Sequence, residues 1–108
     1  MAFPKHHLYK MESQLLGGFA RALGYPGRIE ILLTLESEGP LSVHILAKGH
    51  PICMETLSQH LKILREAHLV IAEEKYPYTY YCVHKANLAI AKELFANFFD
   101  HFGQRMAG

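Results

Sequence analysis

The stretch Thr56-Leu57-Ser58-Gln59-His60-Leu61-Lys62-Ile63-Leu64-Arg65, inside a longer segment running from Leu41 to Val70, decides how this chain reads. Wound as a helix at ~100° per residue, it places Leu57, Leu61 and Leu64 on one stripe, the i, i+4, i+7 spacing of a core-facing side. Glu55, Ser58, Gln59 and Lys62 gather on the opposite side. That row of short polar groups with one cation carries too little charge for a merely solvated face. Just upstream, Ser42 suits an N-cap, Val43, Leu46 and Ala47 recur at i, i+3, i+4, and Gly49 fits a C′ stop. His50-Pro51-Ile52 leaves a tight connection between the two. A short helix, a brief turn and a polar-faced second helix form the helix-turn-helix pattern, whose second helix enters the DNA major groove. A helical hairpin inside any all-α core would show similar spacing, so the pattern alone favours DNA binding by a small margin.

The segment Ser58-Gln59-His60-Leu61-Lys62-Ile63-Leu64-Arg65-Glu66-Ala67-His68-Leu69-Val70 resembles the recognition helix and first wing strand of ArsR/SmtB-type winged-helix repressors. Ala22-Leu23-Gly24-Tyr25-Pro26-Gly27-Arg28-Ile29-Glu30-Ile31-Leu32 is similar to that family's ALADPTRLRIL segment, and Tyr80-Tyr81-Cys82-Val83 to its second wing strand. The three matches lie in consistent order from about Ala22 to Val83. Three departures stand out: Tyr25 and Gly27 replace the usual Asp and Thr, and His68 replaces the usual Gly.

At 108 residues the chain has the length of one domain, and half of its residues are hydrophobic, which argues against disorder. The net charge of +1 is weak for a nucleic-acid binder. Its distribution is more telling. Between Gly39 and Arg65 the only acid is Glu55, against Lys48, Lys62 and Arg65, with His44, His50 and His60 able to add charge if protonated. Cys53 and Cys82 make neither a disulfide framework nor a CxxC zinc pair. The N-terminus lacks the apolar run of a signal peptide, and no segment approaches the ~20 apolar residues of a membrane span. The expected location is the cytoplasm.

From about His6 to Leu23, Leu8, Met11, Leu15, Phe19 and Ala22 repeat at helical spacing. Gly17 and Gly18 weaken that helix by roughly 1 kcal/mol each relative to Ala, a cost that makes sense if another backbone approaches there. Pro26 suits the first turn of a second helix, which Gly39-Pro40 stops. After about His68 the period changes. Leu69–Lys75 and Tyr80–His84 read as two strands around a Tyr76–Thr79 loop, a wing. The resemblance implies basic residues near such a tip, but only Lys75 is present, among tyrosines whose hydroxyls can donate to phosphate. The last helix, about Ala86 to Phe102, is apolar on nearly all sides and needs a second surface to bury against. A symmetric copy is the economical answer. The family resemblance likewise implies dimerisation through the first and last helices.

Many ArsR/SmtB proteins sense metals, and the resemblance allows those positions to be checked. The family's Cys-Val-Cys motif falls on Ser42, Val43 and His44, with no thiolate for a soft metal. Its last-helix zinc ligands fall on Leu88, Ile90, His101 and Gln104, of which only His101 can coordinate. His6 and His7 could supplement His44 or His101 of a dimer mate, though solvated side chains are the simpler reading. Cys53 lies where a helix N-terminus lowers a thiol pKa, yet no resolving partner is visible. No phosphate loop, nucleophile elbow or carboxylate pair suggests an enzyme.

The expectation is therefore a mainly α winged helix-turn-helix spanning residues 1–108, with about five helices, a two-stranded wing and terminal dimerisation helices. It would act as a homodimeric transcriptional regulator, a repressor on a palindromic operator, with no cofactor and no metal. Candidate DNA contacts are Glu55, Thr56, Ser58, Gln59, His60, Lys62, Lys75 and Tyr78. Candidate interface residues are Met11, Leu15, Phe19, Leu88, Ala91, Phe95, Phe98 and Phe102. The competing reading is a dimeric winged-helix interaction module that no longer binds DNA.

Overall fold

A computed structural model describes residues 9–106. Its elements run α1 (Met11–Ala22), α2 (Pro26–Glu38), β1 (Leu41–Ser42), α3 (Val43–Lys48), α4 (Met54–Glu66), β2 (Val70–Lys75), β3 (Tyr78–Val83) and α5 (Lys85–Met106). The first helix starts at Met11, later than the apolar spacing suggests, because the Gln14 side chain donates to the Tyr9 carbonyl at 2.8 Å and holds that residue outside the helix. His6 and His7 lie outside the described residues.

Local chemistry sets the other boundaries. Pro26 opens α2 with its φ already helical. Gly39 closes it, where an added Cβ would lie 2.5 Å from the Leu35 carbonyl oxygen. Ser42 caps α3 as expected, its hydroxyl accepting the Ile45 N–H at 3.4 Å. Gly49 ends α3 at φ −101°, a backbone open to any residue, so the stop stands where expected but needs no left-handed turn.

The reading stretch is α4, and its leucine stripe is the centre of the core. Leu57, Leu61 and Leu64 are fully buried, each contributing about 1.5–3 kcal/mol relative to an exposed side chain. Leu35 from α2, Leu46 from α3 and Leu69 pack into the same cluster. The end of α4 turns sharply. His68 has φ 59°, its N–H reaches the Arg65 carbonyl, and the Leu69 N–H reaches that of Leu64, both at 2.9 Å. This pair of bonds is a Schellman cap with a histidine in the left-handed position that glycine adopts without strain.

The wing is the two-stranded hairpin of β2 and β3, and β1 extends it into a three-stranded antiparallel sheet in the order β1-β3-β2. Leu41 pairs with Tyr81 and Ser42 with Tyr80, so the entry to α3 doubles as an edge strand. The hairpin register runs from Val70↔Val83 to Lys75↔Tyr78. Only Tyr76 and Pro77 turn the chain. Tyr78 and Thr79, expected in the loop, are in the ladder.

Helix α5 spans 22 residues and packs on α1. Ala91 is buried, Leu88, Leu94 and Phe95 lean on the core, and Phe98, Phe99 and Phe102 stay exposed. Among the described residues, no helix is long and apolar enough to cross a membrane.

The strained cap gives a direct test. His68→Gly relieves the left-handed cost but adds freedom to the unfolded chain, so stability should rise by roughly 0.5–1 kcal/mol. A urea midpoint shifted upward with unchanged slope is the expected result.

Candidate nucleic-acid interface

Burying the leucine stripe leaves the other side of α4 to solvent. Glu55, Thr56, Ser58, Gln59 and Lys62 are all exposed. Met54, Glu55, Ser58, Gln59 and Lys62 line a shallow depression of about 460 Å³. Among the described residues, Glu55, Ser58, Gln59 and Lys62 make no side-chain hydrogen bond or ion pair. Their donors and acceptors face outward and unspent. Gln can pair bidentately with adenine, Ser serves several bases, and Lys meets phosphate or guanine. Thr56 is partly engaged, its hydroxyl 3.2 Å from the Cys53 thiol at the helix N-cap. That hydrogen bond, followed by one from the Thr56 main chain, lowers the Cys53 pKa.

His60 is not on this face. It is only 6% exposed, on the core side beside Leu57 and Leu61, which corrects its assignment as a DNA contact. The Nη1 of Arg28 lies 3.2 Å from His60 Nδ1. Arg28 donates Nε to the Ala22 carbonyl at 2.6 Å and Nη2 to that of Arg21 at 3.3 Å. Because guanidinium only donates, Nδ1 must accept, and the ring is neutral with its proton on Nε2. The Tyr25 ring lies 5.0 Å from the His60 ring, and the Arg28 guanidinium 5.4 Å from the Tyr25 ring. A Cβ at Gly27 would come within 3.2 Å of His60 Nε2. Two departures from the family pattern, Tyr25 and Gly27, thus surround one buried imidazole.

The C-terminal end of α4 is tied elsewhere. Asn87 in α5 donates Nδ2 to the His68 carbonyl at 2.8 Å, and the Asn87 N–H reaches His84 Nδ1 at 3.1 Å. On the wing, Lys75 Nζ lies 3.9 Å from Glu73 Oε1, with both side chains largely exposed. Tyr78 sets its ring edge-to-face against His44 of α3, with centroids 5.9 Å apart, and against Tyr80 at 6.4 Å.

The family profile described as "Bacterial regulatory protein, arsR family" matches residues 25–72. A solved structure described as a possible transcriptional regulator for arsenical resistance is 30% identical, covers 81% of this chain and 91% of its own, and has a TM-score of 0.70. The chain belongs to the ArsR family. It is also similar to NolR from Sinorhizobium fredii, at 29% identity over 87% of this chain and 91% of that one, with a TM-score of 0.66. The ArsR-like regulator from Rhodococcus sp. RHA1, 24% identical over 86% of this chain and 87% of its own, shares the fold with a TM-score of 0.73. No curated protein matches the sequence. ArsR proteins are DNA-binding transcriptional regulators of winged helix-turn-helix fold, not enzymes.

The ArsR metal positions are dispersed here. Ser42 caps α3, Val43 packs on the core, His44 meets Tyr78, and His101 sits on exposed α5 against Phe102. Among the described residues, no group of three or more His, Cys, Asp or Glu could hold a metal ion. Of the expected interface residues, Phe19 and Ala91 are buried in the protomer's own core, which corrects their assignment, and Leu88 and Phe95 are half-buried against it. Met11, Leu15, Phe98 and Phe102 are exposed.

Two positioning residues escaped the sequence reading. Arg28 left a signal: a cation in the first turn of α2 opposes the helix dipole and so requires another task. Asn87 left none, since its partner is a main-chain carbonyl nineteen residues away.

His60 gives a pH test. Burial first, and the Arg28 charge second, lower its pKa below the ordinary imidazole value of about 6.5. The unfolded chain then binds more protons, so the stability His60 contributes is present above about pH 6.5 and is lost as pH falls from there through the lowered folded pKa. His60→Gln keeps an acceptor for Arg28 but does not titrate. Between about pH 7.5 and about pH 5.5, this variant should lose less urea stability than the wild type. Equal losses would show that His60 is not held neutral.

Proposed function

We propose that this ArsR protein is a sequence-specific, cytoplasmic repressor that binds a palindromic operator as a homodimer, without the family's metal sites. The observation that carries the reading is the face of α4. Among the described residues, its Glu55, Ser58, Gln59 and Lys62 side chains have no internal partners while the opposite stripe is sealed in the core, the arrangement a helix takes when it reads the major groove. Glu55, Thr56, Ser58 and Gln59 would lie nearest the base edges, with Lys62 one turn further along.

Residues 1–108 are taken as one domain with dimerisation helices at each end. The α1 and α5 surfaces support this. Met11 and Leu15 on α1, and Phe98, Phe99 and Phe102 on α5, remain exposed, and the Phe98 ring meets those of Phe99 and Phe102 edge-to-face at 5.2 and 5.0 Å. A Cβ at Gly17 or Gly18 would meet nothing within 4 Å in the protomer. These glycines leave a shallow groove of about 390 Å³ beside Tyr9 and Arg21, open to a second copy. A twofold dimer covers such a face and sets two reading helices on two half-sites.

The competing reading, an interaction module that no longer binds DNA, draws on the cation-poor wing. Duplexes selected from random sequence separate the two. Gln59→Ala should cost about 1–3 kcal/mol on the selected site and little on other sequences. Lys62→Ala should weaken all duplexes alike and reduce the salt slope by about one ion. A wild type that binds no duplex would leave the interaction module standing, and folded, dimeric variants that bind like the wild type would show that α4 does not read DNA.

Assembly has its own test. Phe98→Glu would place an unpaired carboxylate in the dimer contact, a cost of several kcal/mol. Sedimentation should then show monomer or aggregate, with tight operator binding lost. A soluble dimer of wild-type size would show that α5 is not the contact.

A further inference from the structure

His60 is a buried imidazole with a partner on one side and none on the other. Arg28 Nη1 meets Nδ1 at 3.2 Å, while Nε2, shut away from solvent, has no hydrogen-bond partner among the described residues. A polar atom left so inside a fold costs stability, and an apolar residue in its place would not carry that cost. Shape holds the ring instead. Tyr25 lies against it with centroids 5.0 Å apart, and Gly27 leaves beside Nε2 a space that a Cβ would crowd at 3.2 Å.

Arg28 is better anchored than the ring it meets. Its Nε and Nη2 donate to the Ala22 and Arg21 carbonyls at the end of α1, and neither bond depends on His60. Charge around the ring is one-sided. Its neighbours at i±3 and i±4 on α4 are Thr56, Leu57, Ile63 and Leu64, none of which titrates near neutral pH. From α2 come the Arg28 guanidinium and the Tyr25 phenol, and α1 contributes the two carbonyls that Arg28 occupies. Helix α3 and strand β2 also pack on α4, but among the described residues neither brings a charged group to the ring, and no Asp or Glu lies within ion-pair distance of it. A second positive charge would find nothing here to neutralise it.

We propose that the Arg28–His60 contact makes DNA binding acid-sensitive: a proton on Nδ1 turns the ring from acceptor to donor against a guanidinium, and the ring leaves its place, taking the middle of α4 with it. The proposal rests on the reading of α4 as the DNA-reading helix. With both ring nitrogens donating, imidazolium and guanidinium face each other with no acceptor between them. Arg28 keeps its two carbonyls, so the ring is the partner that moves, toward water. Linkage fixes the sign. The binding-competent form holds His60 neutral, so affinity is full above about pH 6.5 and falls as pH drops from there through the lowered folded pKa. Protonation of the exposed His44 has the opposite sign, since an added cation on the helix-turn-helix strengthens attraction to phosphate.

Duplexes selected from random sequence at neutral pH are the probe. Between about pH 7.5 and about pH 5.5, the wild type should lose several-fold more affinity than His60→Gln or His60→Asn, with a ceiling of about tenfold per protomer for each pH unit below the folded pKa. Each variant offers Arg28 an uncharged acceptor that does not titrate. In the wild type without DNA, the His60 imidazole resonances and the Arg28 Nε–H resonance should shift with one common midpoint. Bound duplex should move that midpoint to lower pH, because coupling between proton and DNA is reciprocal. These resonances decide the matter even where a variant packs poorly. If selected duplex binds, but wild type and folded variants lose affinity equally, or His60 titrates while the Arg28 resonance stays in place, the acid switch is refuted and the reading of α4 stands. If the wild type binds no duplex at neutral pH, the reading of α4 falls and the acid switch falls with it.

Discussion

The contact between Arg28 and His60 joins three helices at one point. Arg28 sits in the first turn of α2, where the helix dipole disfavours a cation. Its guanidinium points instead at the carbonyls of Arg21 and Ala22, the negative end of α1, where a cation is favoured. The donor left over meets His60 on α4. One planar side chain thus sets the end of α1 against the start of α2 and fixes the angular setting of the reading helix. The geometry requires a neutral imidazole, and burial supplies one. Permanent positive charge on the helix-turn-helix is left to Lys48, Lys62 and Arg65, a small set for a chain of net charge +1; under the proposed reading, most of the discrimination would fall on the neutral groups Ser58 and Gln59.

Much of this architecture was legible in the residues because each boundary carries its own chemistry. Pro26, Gly39 and Ser42 mark helix ends by φ, by lack of a Cβ and by a hydroxyl acceptor, and the leucine stripe identifies the buried side of α4. The failures have equally local causes. His60, set among the candidate DNA contacts, lies about 60° from Leu57 at ~100° per residue, well inside the apolar arc. Phe19 and Ala91 share the periodicity of the exposed residues on α1 and α5, and spacing alone does not separate a protomer's core from a second apolar surface. A two-residue strand such as β1 has no period to read, and Tyr78 looked like loop because Pro77 precedes it.

The reading helix is held at two points by different partners. Near its middle, His60 ties it through Arg28 to α1. At its end, the left-handed turn at His68 presents a carbonyl to Asn87 on α5. The departure from glycine at position 68 costs backbone strain, yet leaves that carbonyl in place. Both ties therefore run to the two helices whose outer faces are apolar and exposed, and the pitch of α4 is coupled to the surface on which two protomers would meet.

Apart from His60 Nδ1, the acceptors in these ties are main-chain oxygens of Arg21, Ala22 and His68, present whatever side chain those positions carry. Drift at the three acceptor sites leaves the oxygens themselves untouched, provided the backbone keeps its path. The fragility is concentrated in the side chains of Arg28, His60 and Asn87, where a single replacement can remove a tie outright. A scan of viable sequences would then show tolerance and intolerance side by side along the chain, with two solitary polar residues guarding the orientation of a helix that neither of them belongs to.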